Sequence, residues 1–329
     1  MHNGKNATQA WGLIVLLISK AAGHSSSIPD VEQDKSAGVL HSQRALAEIT
    51  EMIRISHLIQ RSLANLQPSI RAGQDTASIS DMTFGNKIAL LSGDYLLAQS
   101  CAELSNLRNQ ELTELILSAI RDFTESEFIG DRDEQNNPLP SKPQPNRIPP
   151  YEIDEDYIET DLIIPMDVES CMGIPDKEWA LRHILSAGSL LGKSCQGSLK
   201  LALKSEEMQQ KGYLFGKHLS LAWQACLDLE PFRDGMLPVD GKFSLVSAPV
   251  LFHLEYDPNI YVEIEKGKTS IENIDFGKLY NEILLGPGLE KTRMLQDKHT
   301  KAAMRVLENF PPSDGRTALN NILLAMQDF

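Results

Sequence analysis

Along most of this chain, apolar residues recur at spacings of three and four, which is the period of a helix that buries one face. The pattern predicts helices over residues 11–22, 44–66, 86–107, 112–123, 179–203, 206–229, 289–309 and 313–327. Weaker helical patterns cover residues 246–254 and 276–285. Ser313 is expected to cap the last helix. Because no period-two alternation is long enough to build a sheet, the sequence predicts an all-α fold.

The segment from Gly130 to Asp176 breaks the helical pattern. It carries six prolines between residues 138 and 150, followed by an acidic stretch over residues 152–169 that contains no Lys or Arg. Such a composition buries too little apolar surface to offset the entropy that is lost on ordering. We therefore predict a disordered surface insertion over residues 130–176, within a single domain that spans residues 1–329.

Composition narrows the classes of function. The net charge of −14 argues against a nucleic-acid-binding protein, which presents a basic surface. The four cysteines form no CxxC pair, so neither a zinc site nor a disulfide framework is expected. Residues 1–29 contain no Asp or Glu, as in a transit peptide, and include a short apolar run, as in a signal peptide. We favour a core helix that ends before Gly23, and no transmembrane segment is predicted.

In the helix predicted over residues 44–66, Glu51-Met52-Ile53 and Leu58-Ile59 match the pattern E-(L/M)-I-H-x-A-S-L-V-H-D-D-x-x-D. The helix therefore resembles the first metal-binding helix of trans-polyprenyl diphosphate synthases, which carries this pattern. The aspartate positions of the pattern are occupied by Arg61, Ser62 and Asn65. A guanidinium cannot be deprotonated in a protein, so it cannot bind a metal cation. The scaffold of the family is thus retained, while the ligands of its first metal site are replaced.

A second metal motif can be located independently of the first. Residues 216–224 resemble the family's G-x-x-L-G-x-A-F-Q, which precedes a second D-D-x-x-D. The aspartate positions of this motif are occupied by Leu227, Asp228 and Pro231. One usable carboxylate is retained, and Pro231 disfavours continued helix. Because both motifs lack metal ligands, we predict that this chain contains no catalytic residues and binds no metal.

Other family features survive. Residues 84–98 resemble G-N-K-x-A-x-L-x-G-D-x-L-L-A, in which Gly93 indicates close helix packing. Gly192-Lys193-Ser194 resembles the family's K-T, in which the lysine contacts diphosphate, whereas Leu245 replaces the lysine of G-K-x-T-x-P. Four residues are interpreted as remnants of a substrate pocket that now have structural roles: Lys87, Asp94, Lys193 and Gln224.

The resemblance implies the all-α helical bundle of isoprenoid (terpenoid) synthases, here beginning after the family's first helices. Family members add isopentenyl diphosphate to an allylic diphosphate while Mg²⁺ neutralises the leaving diphosphate. With both motifs degenerate, the chain is similar to the non-catalytic subunit of heteromeric members. Such subunits pair with a catalytic subunit 1, here expected in a heterotetramer whose catalytic partner holds the Mg²⁺, to make the ubiquinone side chain in mitochondria. Two alternatives stay open: an independently active prenyltransferase with displaced metal ligands, and a helical scaffold outside isoprenoid metabolism.

Overall fold

A computed structural model describes residues 10–63, 76–144, 167–233, 235–238 and 241–327. The described part is all-α, which confirms the predicted fold class. Its helices are α1 (Trp11–Ala22), α2 (His41–Arg61), α3 (Thr76–Asn106), α4 (Gln110–Ser126), α5 (Val168–Cys171), α6 (Pro175–His183), α7 (Ser189–Leu201), α8 (Glu206–Leu229), α9 (Ala248–Tyr256), α10 (Tyr261–Glu265), α11 (Phe276–Leu285), α12 (Gly288–Leu307) and α13 (Asp314–Gln327).

Shorter elements connect these helices. An antiparallel hairpin between α1 and α2, which the sequence did not predict, pairs β1 (Gln33–Asp34) with β2 (Val39–Leu40). Single 3₁₀ turns occur at Asp30–Glu32, Glu230–Phe232, Pro258–Ile260, Lys266–Lys268 and Ile271–Asn273. A π turn, Ile184–Gly188, separates α6 from α7 and divides the helix that the sequence predicts over residues 179–203.

Several helix boundaries follow directly from local sequence. The bounds of α1, α8 and α11 are those predicted, and α1 ends where Gly23 adopts a φ of +62°. The hydroxyl of Ser313 accepts a hydrogen bond from the backbone N–H of Arg316 at 3.2 Å, which confirms the predicted N-cap. In contrast, α3 begins at Thr76 rather than at residue 86. The sequence prediction missed these first turns, because they carry polar residues that show no helical period.

Helix α8 lies at the centre of the molecule, with α7 and α12 packed along it. The close approach of α7 depends on Gly216, because a Cβ there would lie 2.7 Å from the carbonyl oxygen of Leu191. One apolar cluster joins α8 to α1, α2, α4, α7 and α13, and a second joins it to α6, α9, α10 and α11. Among the described residues, no helix is both long and apolar enough to cross a membrane.

Helix α3 is different, because it lies against α2 and, of its described side chains, only that of Leu104 belongs to these core clusters. The two helices approach closely at Gly93, whose carbonyl oxygen accepts a hydrogen bond from the Ser56 hydroxyl at 2.7 Å. A Cβ at Gly93 would lie 3.0 Å from Cγ of Gln60, so the glycine allows the close helix packing that the sequence indicates. Most other described side chains of α3 are exposed.

Glu178 of α6 is buried and holds two distant segments together. One of its carboxylate oxygens accepts a hydrogen bond from the backbone N–H of Ser141 at 3.1 Å. The other accepts from the backbone N–H of Gly173 at 2.8 Å. The segments on the two sides of residues 145–166 therefore meet at one carboxylate.

Arg182, one turn later on α6, completes this arrangement. Its guanidinium forms an ion pair with Glu178 at 2.9 Å and donates to the carbonyl oxygens of Ile129 and Leu139 at 3.1 and 3.0 Å. The boundaries 130–176 are therefore wrong for a disordered segment, because both of its ends have hydrogen-bond partners in the helical bundle. Residues 145–166 lie outside the described residues, so disorder there stays a prediction.

Candidate functional site

The first motif position lies at the C-terminal end of α2. Arg61 is the last residue of the helix, its side chain is 50% exposed, and its Nε lies 3.8 Å from Oε1 of Glu127. The hydroxyl of Ser62 donates to the carbonyl oxygen of Ile59 at 2.7 Å, so it is engaged by its own helix. Asn65 lies outside the described residues. At this end the structure places a cation and an engaged hydroxyl where the family pattern has aspartates.

Two further cationic side chains lie near Arg61. Arg132 contacts the other oxygen of Glu127 at 2.9 Å, so this carboxylate bridges two guanidinium groups. Arg61 and Arg182 are both close enough to lower the pKa of Arg132, for which burial is the largest cause. The environment of the first motif position is therefore cationic.

Two imidazoles complete this environment. Burial, with a contribution from Arg61, lowers the pKa of His57 to about 4. Burial also lowers the pKa of His183 to about 3, with smaller contributions from Arg61 and Arg182. Both rings are held by aromatic contacts: His57 stacks on Phe123 at 4.2 Å between centroids, and His183 packs on Trp179 at 5.0 Å. Both imidazoles are therefore neutral at pH 7 and fixed in orientation.

The second motif position lies in the core. Asp228 accepts three hydrogen bonds: one from the indole N–H of Trp179 (2.7 Å), one from the backbone N–H of Ala248 (2.8 Å) and one from the Gln224 amide (2.8 Å). Burial raises the pKa of Asp228 to about 6, against the opposing effect of these hydrogen bonds. The sequence indicates one usable carboxylate at Asp228, whereas the structure shows both of its oxygens engaged: Oδ2 joins α8 to α6 and α9, and Oδ1 accepts from Gln224 of the same helix.

The other two positions of the second motif supply no ligand. Leu227 is a half-buried apolar side chain. Pro231 lies in the 3₁₀ turn that follows α8, and its carbonyl oxygen accepts from the Tyr280 hydroxyl at 3.4 Å. Helix α8 ends at Leu229, which is consistent with the helix-breaking effect expected of Pro231.

The four proposed pocket remnants lie in three different environments. Lys87 and Asp94 lie on exposed parts of α3, where Asp94 accepts from the Gln60 amide at 3.0 Å. Lys193 forms an ion pair with Asp122 at 2.6 Å, and the same carboxylate accepts from the hydroxyl of Ser189. Gln224 is engaged with Asp228. Their shared origin in a substrate pocket stays a prediction, but Asp94, Lys193 and Gln224 each have a structural partner.

A magnesium site needs several carboxylate or carbonyl oxygens with available lone pairs. Arg61 offers none, Ser62 offers only a neutral hydroxyl in place of a carboxylate, and each oxygen of Asp228 already accepts from a protein donor. Within the described ranges, no group of three or more His, Cys, Asp or Glu side chains could hold a metal ion. The described residues at the two motif positions therefore do not fit Mg²⁺.

Sequence patterns miss the surroundings of both positions. The sequence does contain one signal for the first position: His57 is four residues before Arg61, so the two side chains share a face of α2. No local signal identifies Trp179 or Ala248 as partners of Asp228, since they are 49 and 20 residues away in the chain.

Known structures share this fold. The apo form of an Arabidopsis medium/long-chain length prenyl pyrophosphate synthase aligns with a TM-score of 0.64 at 20% identity, over 100% of this chain and 92% of that one. A heptaprenyl diphosphate synthase from Staphylococcus aureus gives a TM-score of 0.65 at 14% identity, over 97% and 86%. The protein therefore has the all-α isoprenoid (terpenoid) synthase fold.

Sequence relatives define the family, although no protein-family model matches the chain. The human all trans-polyprenyl-diphosphate synthase PDSS2 is 35% identical over 336 residues, which include 100% of this chain and 74% of the human protein. The mitochondrial hexaprenyl pyrophosphate synthase of Saccharomyces cerevisiae is 28% identical over 312 residues, with 89% of this chain and 64% of the yeast protein covered. The chain belongs to the trans-polyprenyl diphosphate synthase family, as its motifs indicate.

Proposed function

We propose that this chain is the non-catalytic subunit of a heteromeric all-trans-polyprenyl diphosphate synthase. A catalytic subunit 1 would hold the Mg²⁺ and add isopentenyl diphosphate to an allylic diphosphate to build the ubiquinone side chain. The observation that carries the proposal is the pair of altered motif positions, one cationic at Arg61 and the other engaged in the core at Asp228. Fungal relatives are named as mitochondrial proteins, which supports the same location for this chain.

Electrostatics explains why such a chain is inactive alone. The attraction between one carboxylate and one cation at about 4 Å, with an effective dielectric near 20, is worth roughly 4 kcal/mol. If a missing attraction of this size falls on the transition state, the rate decreases by nearly a thousandfold. Both motif positions lack carboxylates that are available to a metal ion, so a catalytic partner is required for elongation.

The exposed surface of α3 supports the proposal of a partner subunit. Apolar side chains on this helix are exposed, with exposed fractions of 65% for Phe84, 53% for Leu91 and 67% for Tyr95. A shallow hollow of about 400 Å³ is lined by Ile88, Leu91, Ser92, Tyr95 and Leu96. Soluble monomers rarely expose a contiguous apolar surface of this kind. A catalytic subunit that covers α3 would bury it in the apolar interface typical of obligate complexes.

The test is co-purification of the chain with a catalytic subunit 1, followed by an assay of Mg²⁺-dependent elongation of farnesyl diphosphate. Tyr95→Asp and Leu96→Asp should abolish pairing, because they place a charge in the buried interface. Tyr256→Asp is the matched control, since Tyr256 lies on α9 and has the same exposed fraction of 67%. Folded Tyr95→Asp and Leu96→Asp proteins that still pair would show that the interface lies elsewhere.

The same preparation separates the two alternatives. Elongation by the isolated chain would establish an independently active prenyltransferase. A chain that neither elongates nor pairs with subunit 1 would act as a helical scaffold outside isoprenoid metabolism.

A further inference from the structure

Several buried side-chain nitrogens near the first motif position have no hydrogen-bond partner. Among the described residues, the buried side-chain atoms without a hydrogen-bond partner are His57 Nε2, Arg132 Nε, His183 Nε2 and His253 Nδ1. The first three belong to the group around Arg61: His57 is one helical turn before it on α2, Arg132 shares the Glu127 carboxylate with it, and His183 directly follows Arg182 and lies within the electrostatic reach of Arg61. Buried polar atoms without partners are rare in folded proteins. Their concentration at one place points to a ligand.

The charges of this group leave an excess of cations. We call it the Arg61 cluster: Arg61, Arg132, His57, His183 and the carboxylate of Glu127. Its two guanidinium groups share the single carboxylate of Glu127. The adjacent Arg182 is already balanced by Glu178 at 2.9 Å. The cluster therefore has a net positive charge with both imidazoles neutral.

We propose that the Arg61 cluster binds a phosphate or diphosphate group directly, without a metal ion. Guanidinium groups match the geometry of phosphate oxygens through paired N–H donors. The Nε2 atoms of the two imidazoles and Nε of Arg132 can donate to the same anion. The fixed orientation of both rings reduces the entropy lost on binding. A position that carries metal-binding aspartates in the family pattern is thus converted to an anion site of the opposite charge.

Glu127 is the internal competitor of this anion. Its contact with Arg61 is 3.8 Å, longer than a hydrogen bond, and its side chain is 33% exposed. Nη1 and Nη2 of Arg132 also donate to the carbonyl oxygens of Asn136 and Ser126, at 2.7 and 3.2 Å, so an anion would reach this residue through Nε. A doubly charged anion that displaces the Glu127 carboxylate would pair with Arg61 and accept from the unpartnered nitrogens together. Removing the negative charge of Glu127 should therefore tighten binding, whereas removing the positive charge of Arg61 should weaken it.

The test is isothermal titration calorimetry of the 329-residue chain with inorganic diphosphate in excess EDTA at low ionic strength. We expect binding in EDTA, weakened by at least about tenfold in Arg61→Gln and tightened by about threefold or more in Glu127→Gln. Arg121→Gln and Glu125→Gln are the matched controls, because this exposed pair on α4 (3.3 Å) should not affect binding. Circular dichroism of each variant checks the fold.

A second arm of the experiment distinguishes an isoprenoid diphosphate from a free diphosphate or phosphate as the ligand. Farnesyl diphosphate and inorganic diphosphate are compared in the same buffer: tighter binding of the first identifies an isoprenoid ligand, and equal binding identifies a free diphosphate or phosphate. The proposal is overturned if diphosphate binds only with Mg²⁺, if nothing binds, or if the Arg61 and Glu127 variants do not shift affinity in opposite directions. These outcomes are independent of pairing with subunit 1, so this proposal can fail while the proposed function stands.

Discussion

The two motif positions differ from a metal site in opposite ways. At the end of α2 the family's aspartate is replaced by a half-exposed cation, Arg61, whose contact with Glu127 is loose at 3.8 Å. At the end of α8 an aspartate is kept, but Asp228 is buried and accepts hydrogen bonds from donors on α6, α8 and α9. At the first position the family's aspartate itself is replaced, whereas at the second Asp228 is kept between Leu227 and Pro231 but is engaged by protein donors.

This difference shows that a motif can keep an aspartate, here Asp228, without keeping a metal-binding site. A carboxylate can bind a cation only through lone pairs that are available, and three donors already occupy Asp228: Oδ2 accepts from Trp179 of α6 and Ala248 of α9, and Oδ1 accepts from Gln224 of α8. Arg61, although altered in chemistry, still presents its side chain to solvent. By this comparison, Asp228 should matter for folding and Arg61 for ligand binding.

The largest expected effect is that of Asp228→Ala. This change leaves the indole N–H of Trp179 and the backbone N–H of Ala248 buried without an acceptor, at a cost of roughly 3–4 kcal/mol in the free energy of unfolding. Urea unfolding measures it. Asp297→Ala is the control, because that aspartate is 43% exposed and its partners, Lys301 and Gln327, also lie at the surface, so the change should cost at most about 0.5 kcal/mol. Similar destabilisation in the two variants would contradict the structural role assigned to Asp228.

A smaller effect is expected from pH. Burial raises the Asp228 pKa from 3.8 to about 6, so between these values the folded protein holds a proton that the unfolded chain releases. The stabilisation is complete below pH 3.8 and is lost as the pH rises through about 6. The free energy of unfolding, relative to Asp228→Asn, should fall by about 2 kcal/mol between roughly pH 4.5 and pH 7. A relative stability that is constant or rises across this range would contradict the burial of this carboxyl.

Arg61→Ala should have little effect on folding. The side chain is 50% exposed, and exposed ion pairs of this kind contribute at most about 0.5 kcal/mol. The midpoint of urea unfolding should therefore barely change, while diphosphate binding in EDTA should weaken. A decrease in stability comparable with that of Asp228→Ala would show that Arg61 also has a structural role.

No effect on activity is expected when the first motif is restored. Combining Arg61→Asp, Ser62→Asp and Asn65→Asp returns the family's ligands to one end of the site only. At the other end Asp228 stays engaged, and Leu227, Pro231 and Leu245 are unchanged. The isolated variant should show no Mg²⁺-dependent elongation of farnesyl diphosphate, assayed beside the assembled heteromer as positive control. Elongation by the variant alone would mean that the second position can still bind a metal ion.

Local sequence determines much of the fold but little of the chemistry. The bounds of α1, α8 and α11 follow from the period of their apolar residues. Ser313 directly precedes α13, so its hydroxyl can accept from the backbone N–H of Arg316 in the first turn. The π turn at Ile184–Gly188 lies within an unbroken apolar pattern, so the local sequence does not reveal it; in the structure the turn packs against α4 and α8. The replaced aspartates are visible in the sequence. The engagement of Asp228 depends on partners far along the chain, which no local pattern reveals.

The carboxylate of Glu178 has a consequence for the tolerance of this protein to changes in chain length. Because it binds the backbone at Ser141 and at Gly173, the two points from which the intervening chain departs are adjacent in space. When the two ends of a flexible segment are held together, each doubling of its length costs only about 0.6 kcal/mol of closure entropy. We therefore expect insertions and deletions between residues 145 and 166 to leave α6 and the core in place.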